Sequence, residues 1–298
     1  MCEKVNIPEQ YINKNCSDYF DEININTWKE VKQLFKLFST EWIFRGQIDS
    51  QWGLVPSIER VTRFAGSDDL ERIIIDGLKE KVLNISQGKE CPKTKLGWMA
   101  FAQHHGGLTR LLDFTTDFYI ACFFSFGFNE ETDVLPEKCS VWVLNKEWCK
   151  KNTLERLTKI SRFQTLKVDD MDKSQFFDDA FVFNPNFVPC VCPFMSDWKN
   201  ERMEKQKSIF LCKCNPMFSF DSNLLGENGS ILESKIYVKK TIMPMSIREE
   251  ALSDLVDMNI TTQTILSGEE YFQEMRNVVK MLEEHARATF ENLRKNRE

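Results

Sequence analysis

The sequence predicts an α+β fold, a single domain with a central mixed or antiparallel sheet flanked by helices. Three observations carry that expectation. Short aromatic and β-branched runs at Trp42–Gln47, 140–144, 208–214 and 234–242 have the length and residue types of strands. Stretches at 28–38, 68–87 and 269–294 place apolar residues three and four apart, as helices do. The 298 residues are 42% hydrophobic and 28% charged with no repeat or low-complexity tract, a globular balance with enough chain for a sizeable core.

In chain order, residues 1–26 are polar with little periodicity and are expected to form an arm. Thr27 suits the cap of a helix carrying Trp28, Val31, Leu34, Phe35 and Phe38 on one side. The strand Trp42–Gln47 follows, then the helix at 68–87 with Leu70, Ile73, Ile74, Leu78 and Val82. A helix over 98–104 stops at Gly106–Gly107, and Thr116 or Asp117 caps a very apolar helix through Ile120, Ala121, Phe123 and Phe124. Residues 145–200 are polar, carry Pro185, Pro189 and Pro193, and read as helix plus loop elaborating the core. The C-terminal part, 266–298, is an amphipathic helix with Phe272, Met275, Val279, Leu282, Ala286 and Leu293 along one side, suited to covering the core.

A net charge of −6 disfavours generic binding to nucleic acid or an anionic membrane surface, since both begin with an excess of basic residues. The first residues lack the apolar stretch of a secretory signal, and no apolar run approaches the roughly 20 residues of a spanning helix. A cytoplasmic protein whose ten cysteines are reduced thiols is therefore expected. Cys190 with Cys192 and Cys212 with Cys214 form two CxC pairs, each able to turn both sulfurs to one side of an extended chain. They suit either a four-cysteine zinc site or plain buried thiols, and the usual zinc spacing is CxxC.

The stretch 101–126 is the chemical centre of the sequence. It sets Gln103, His104, His105, Arg110 and Asp113 inside an aromatic region. Buried polar groups cost free energy unless partners satisfy them, so such a cluster is a structural network or a site. Imidazoles titrate near neutrality and could act as base, phosphate ligand or metal ligand. Adjacent histidines on a helix point about 100° apart, however, so no metal site is expected. Arg110 and Asp113, three residues apart, could bridge each other as scaffold.

Two segments resemble a known family. Phe44-Arg45-Gly46-Gln47 followed by Trp52-Gly53-Leu54-Val55-Pro56-Ser57-Ile58-Glu59-Arg60 is similar to the FRG domain, named after its Phe-Arg-Gly triplet. Gln103-His104-His105-Gly106, Thr109 to Thr115 and the Ala121 to Phe124 run continue the likeness. Arg202, Gln206 and Phe210 resemble the family's later Arg–Gln–Phe element, and Ile242 and Pro244 its last strand. The resemblance spans roughly 28–265, which marks 27–265 as an FRG-like domain. Gly107-Leu108 replaces a common Leu-Pro or Ile-Pro pair, Phe114 a frequent tryptophan, and Ser208 a usual glycine.

A second resemblance is to ADP-ribosyltransferases of the arginine–serine–glutamate type. Phe44-Arg45-Gly46 is similar to their aromatic-Arg-Gly strand, and Phe114-Thr115-Thr116 with Ala121 and Phe124 to their Ser-Thr-Ser strand and helix. This resemblance implies NAD as substrate. Arg45 would hold phosphates, for which a guanidinium fork is suited, and Thr115 and Thr116 would orient the nicotinamide ribose. Arg45, His105 and Gln206 are the candidate catalytic residues; Arg45, Gln47, His104, Thr115 and Thr116 are the candidate ligand contacts. The family's carboxylate has no clear counterpart: Gln206 stands nearest, with Glu204 and Glu233 as poorer matches. Two functions stay open, NAD-dependent ADP-ribosyl transfer to a macromolecular acceptor and a non-catalytic module binding a nucleotide-like or phosphate ligand.

Overall fold

Alternation along each strand sorts its residues between the two sides of one sheet. The computed structural model describes residues 12–13, 19–62, 67–86, 91–127, 135–160, 163–172, 176, 178, 188–226, 231–266, 276–284 and 287–288. Strand β3 (Trp42–Gln47) sends Trp42 and Phe44 into one apolar cluster and Ile43 into another. Strand β5 (Lys138–Asn145) divides Cys139, Val141 and Val143 from Trp142 and Leu144 in the same way. Because both faces are covered, Trp42–Phe44 of β3 and Val141–Leu144 of β5 form continuous apolar runs instead of alternating with polar residues.

One mixed sheet has eight strands in the order β1 (Ile12–Asn13), β2 (Asp21–Asn24), β8 (Val238–Pro244), β5, β3, β4 (Leu111–Thr115), β7 (Ser208–Lys213) and β6 (Val191–Phe194). Strand β2 runs parallel to β8, while the other neighbours are antiparallel. The expected α+β architecture is therefore the observed one.

On one face lie α1 (Trp28–Phe35), α5 (Phe118–Phe126) and α10 (Arg248–Asp257), which bury Trp28, Phe118, Phe126 and Leu255 against the sheet. The opposite face is covered by α6 (Lys146–Leu157), α8 (Phe220–Leu225) and α9 (Ile231–Tyr237) through Trp148, Leu224 and Tyr237. A third cluster packs α3 (Ser67–Ser86) and α4 (Lys95–His104) against the β6–β7 end. Thr27 caps α1 in a full capping box with Glu30, and Asp117 caps α5 by accepting from the Tyr119 and Ile120 amides at 2.9 and 3.4 Å.

Several expectations need correction. Residues 21–25, the end of the expected arm, enter the fold: β2 pairs with β8, and Ile23 and Ile25 are buried. The strand expected over 234–242 begins only at Val238, because Ile231–Tyr237 is helical and packs Tyr237 on Trp148 at 5.5 Å. Within 145–200 the unexpected strand β6 contains Pro193, which an outermost strand tolerates because its missing N–H costs no ladder bond. Of the expected C-terminal helix, 276–284 is helical and buries Val279 and Leu282; Phe272, Met275, Ala286 and Leu293 lie outside the described residues.

The four CxC cysteines lie on and beside β6 and β7, with Cys192 opposite Cys212. All four are buried in an apolar cluster, and burial pushes the Cys212 and Cys214 thiols well up. Among the described residues, no group of three or more His, Cys, Asp or Glu could hold a metal. No described helix is long and apolar enough to cross a membrane.

Candidate functional site

The cavity begins where two neighbouring strands stop pairing. Strands β3 and β4 share one register pair, Phe44 with Thr115, whereas β3 and β5 pair along their whole length. Beyond that contact the strands part, and a cavity of about 960 Å³ opens between and beside them.

The Phe-Arg-Gly triplet has a separate physical reason at each position. Phe44 is buried in the α5-side core, edge-on to Phe118 at 5.2 Å. Gly46 passes directly beneath α5: a Cβ there would lie 1.9 Å from the Ala121 carbonyl oxygen, so only glycine lets the backbones approach. Arg45, on the alternate side, faces the cavity with its side chain about one-fifth exposed (21%). Its Nη1 donates to the Asp113 carbonyl at 2.7 Å across the gap and lies 4.0 Å from the Asp113 carboxylate. Its Nε has no hydrogen-bond partner among the described residues. Burial lowers the Arg45 pKa; the Asp113 carboxylate opposes that shift and the Arg60 charge adds to it. A guanidinium nonetheless stays protonated.

Two more arginines line the cavity. Arg60 comes from α2 (Ser57–Thr62), which is held by mutual contacts between Ser57 and Thr109 and by a buried Glu59–Lys213 ion pair of 2.5 Å. Arg202 comes from α7 (Glu201–Lys205), capped by Asn200. Among the described lining residues, Asp113 is the single carboxylate. Phe44, Phe114, Phe124 and Trp52 provide the apolar wall.

The structure brings Arg45, Gln47, Thr115 and Gln206 to this cavity. Gln206 donates to the Ile265 carbonyl at 3.1 Å, and the Thr115 hydroxyl accepts from the Asp117 amide at 3.0 Å. Gln47 is committed at both ends of its amide, accepting from the Trp142 indole at 2.8 Å and donating to the Gly53 carbonyl at 3.0 Å. It holds the wall in place.

Three candidates are not brought there. Thr116, one residue past Thr115, is exposed and borders a separate depression of about 250 Å³ with Glu204 and Lys207. His105 is buried with its ring 4.6 Å from Phe101. His104 contacts Asn200 through Nε2 at 2.7 Å, and burial pushes its pKa down to about 3. Neither histidine lines the cavity. Glu233 is exposed on α9, also away from it.

Arg110 does not bridge Asp113: Arg110 is buried just before β4 begins, whereas Asp113 lies on β4 and is exposed. Arg110 makes a buried pair with Glu71, through Nη2 at 2.5 Å and Nε at 2.6 Å, while Asp113 accepts from Gln103 at 2.8 Å. Sequence reasoning placed Arg60 and Arg202 in motifs without giving either a site role. Their signal was a cation at the edge of each signature segment.

A search of curated proteins and a search of solved structures each found no match. Residues 40–133 match the family model described as FRG domain. That span supplies Arg45, Arg60, Asp113 and Thr115, while Arg202 and Gln206 join from beyond it. The chain thus carries an FRG domain, one wall of whose cavity is built by the later part of the sequence.

Proposed function

We propose that the FRG domain binds a phosphate-bearing, nucleotide-like small molecule in the cavity between β3 and β4. One observation carries this reading: among the described lining residues, Arg45, Arg60 and Arg202 share one cavity with a single carboxylate, Asp113. Guanidinium groups match phosphate oxygens in bidentate geometry, and a cavity lined by one sign of charge favours an anion. The volume of about 960 Å³ is at the upper end of small-molecule sites, and the aromatic wall suits a ring system.

Calorimetric titration of the full chain with ATP, ADP and NAD tests this. Binding of at least one is expected, weakened about tenfold or more by Arg45→Ala or Arg60→Ala, on the scale of a lost charge-assisted hydrogen bond. Absence of heat at millimolar concentrations of all three would remove the proposal.

A second reading, ADP-ribosyl transfer from NAD, is favoured by Arg45, Thr115 and Gln206 lining the same cavity. In that reaction the glycosidic C1′–N bond breaks, nicotinamide leaves with the electron pair, and an acceptor nucleophile adds to C1′ and loses its proton. Positive charge develops on the ribose, and a nearby carboxylate would stabilise it by a few kcal/mol, roughly the worth of one preorganised electrostatic group. Gln206 carries no charge, and Asp113 is already engaged by Gln103 and Arg45. Binding without turnover is therefore the better supported function. Nicotinamide release that Arg45→Ala abolishes would reverse that preference.

A further inference from the structure

Trp52 sits on the cavity lining with about half of its surface exposed (51%). Among the described residues its indole makes no hydrogen bond or ring contact. The loop carrying it is held through its backbone. Buried Lys240 donates to the Trp52 carbonyl at 3.0 Å, and buried Gln47 donates to the Gly53 carbonyl at 3.0 Å. Both anchors meet at Trp142: its indole N–H donates to Gln47, and the Lys240 ammonium lies 4.8 Å from its ring. Register places Arg45, Trp142 and Lys240 opposite one another across β3, β5 and β8.

The strand row that presents Arg45 therefore also fixes the rim loop. Burying an ammonium is costly, and here the Lys240 ammonium, set over the Phe20 and Trp142 rings, also holds a carbonyl of a surface loop. That arrangement holds a large ring beside a cationic cavity with its indole uncommitted.

We propose that Trp52 is the stacking platform for the heteroaromatic base of the ligand, and that it selects nucleotides over simple polyphosphates. The proposal rests on the phosphate-ligand reading of the same cavity. Arginines hold the phosphates, whichever ring is attached, and Trp52 adds the affinity that depends on the ring. Gln47 and Lys240 are positioning residues that act through the loop.

Calorimetry with two probes, ATP and inorganic tripolyphosphate, tests the inference on the full chain. Stacking of a base on an aromatic side chain corresponds to roughly 5-fold to 150-fold in affinity. Trp52→Ala and Trp52→Leu are expected to weaken ATP by about tenfold or more and leave tripolyphosphate within about twofold. Trp52→Phe should retain most of the ATP affinity. The half-exposed ring predicts melting temperatures close to the parent's, and Trp52→Phe reads out even if the smaller side chains perturb the loop. Equal losses for both probes, or no loss for ATP, overturn the stacking role while leaving the phosphate reading intact. Binding of neither probe by the parent protein overturns the stacking role, and if ADP and NAD are silent as well the phosphate reading falls with it.

Discussion

Acidification should destabilise this protein through His104. Asn200 caps α7 by accepting from the Met203 amide at 2.8 Å through Oδ1, which turns its Nδ2 towards His104 Nε2 at 2.7 Å. Nδ2 can only donate, so Nε2 must offer its lone pair and the ring must be neutral. Protonation would set two donors face to face at the cap of the helix that carries Arg202. Burial is the main reason the pKa is pushed down to about 3, with His105 and Arg202 adding to it.

The folded pKa lies below the ordinary value of 6.5, so the unfolded chain takes up the proton first. Stability is complete above about pH 6.5, falls as the pH drops below that value, and levels off only below about pH 3. Linkage for one such group removes about 2 kcal/mol at about pH 5 and about 3 at about pH 4. Urea unfolding followed by circular dichroism at about pH 7.5 and about pH 5 measures it. The control is His104→Gln, whose carbonyl can accept from Asn200 and does not titrate. Other groups titrate in both proteins, so the parent should lose about 2 kcal/mol more than the variant. Equal losses would refute the reasoning.

Two further substitutions probe the frame of the cavity. Gly46→Ala must push α5 off β3, because its Cβ would meet backbone atoms of Ala121 and Ser125 at 1.9 and 2.7 Å. A loss of about 3 kcal/mol is expected, the upper end for overpacking, and an unchanged urea midpoint would contradict it. Lys213→Met leaves the Glu59 carboxylate buried without its counter-ion, where the pair is 0% and 3% exposed. That should cost about 3–5 kcal/mol, and adding Glu59→Leu should recover most of it. A double variant as unstable as the single one would mean that Lys213 acts through another contact, such as the Phe218 carbonyl at 3.1 Å.

Much of the frame was legible because its signals are local. Thr27 announces one helix start and the Thr116–Asp117 pair another, with Asp117 the residue that caps it. The run Trp42–Gln47 announces a strand by its residue types. Longer-range features were harder. The tyrosine end of Ile231–Tyr237 has strand-like neighbours, and its contact with Trp148 selects helix. The histidine pair attracted attention by its rarity, yet both rings lie outside the cavity lining. Gln47 sits in the signature and lines the cavity, but its amide is spent on Trp142 and Gly53.

By itself the sequence determined the α+β class, the Thr27 cap, and two segments that stood out, 44–60 and 103–115. Hydrophobic spacing and capping act over a few residues, so they can be read along the chain. Tertiary structure alone decided which polar groups share a space. Arg45, Arg60 and Arg202 meet because β3 and β4 part after one register pair, and because a helix some 150 residues later closes the gap. Tertiary packing also paired Arg110 with Glu71 rather than with Asp113. The physical reason is the same in both cases: charge pairing and cavity shape depend on distances through space, which sequence spacing does not encode.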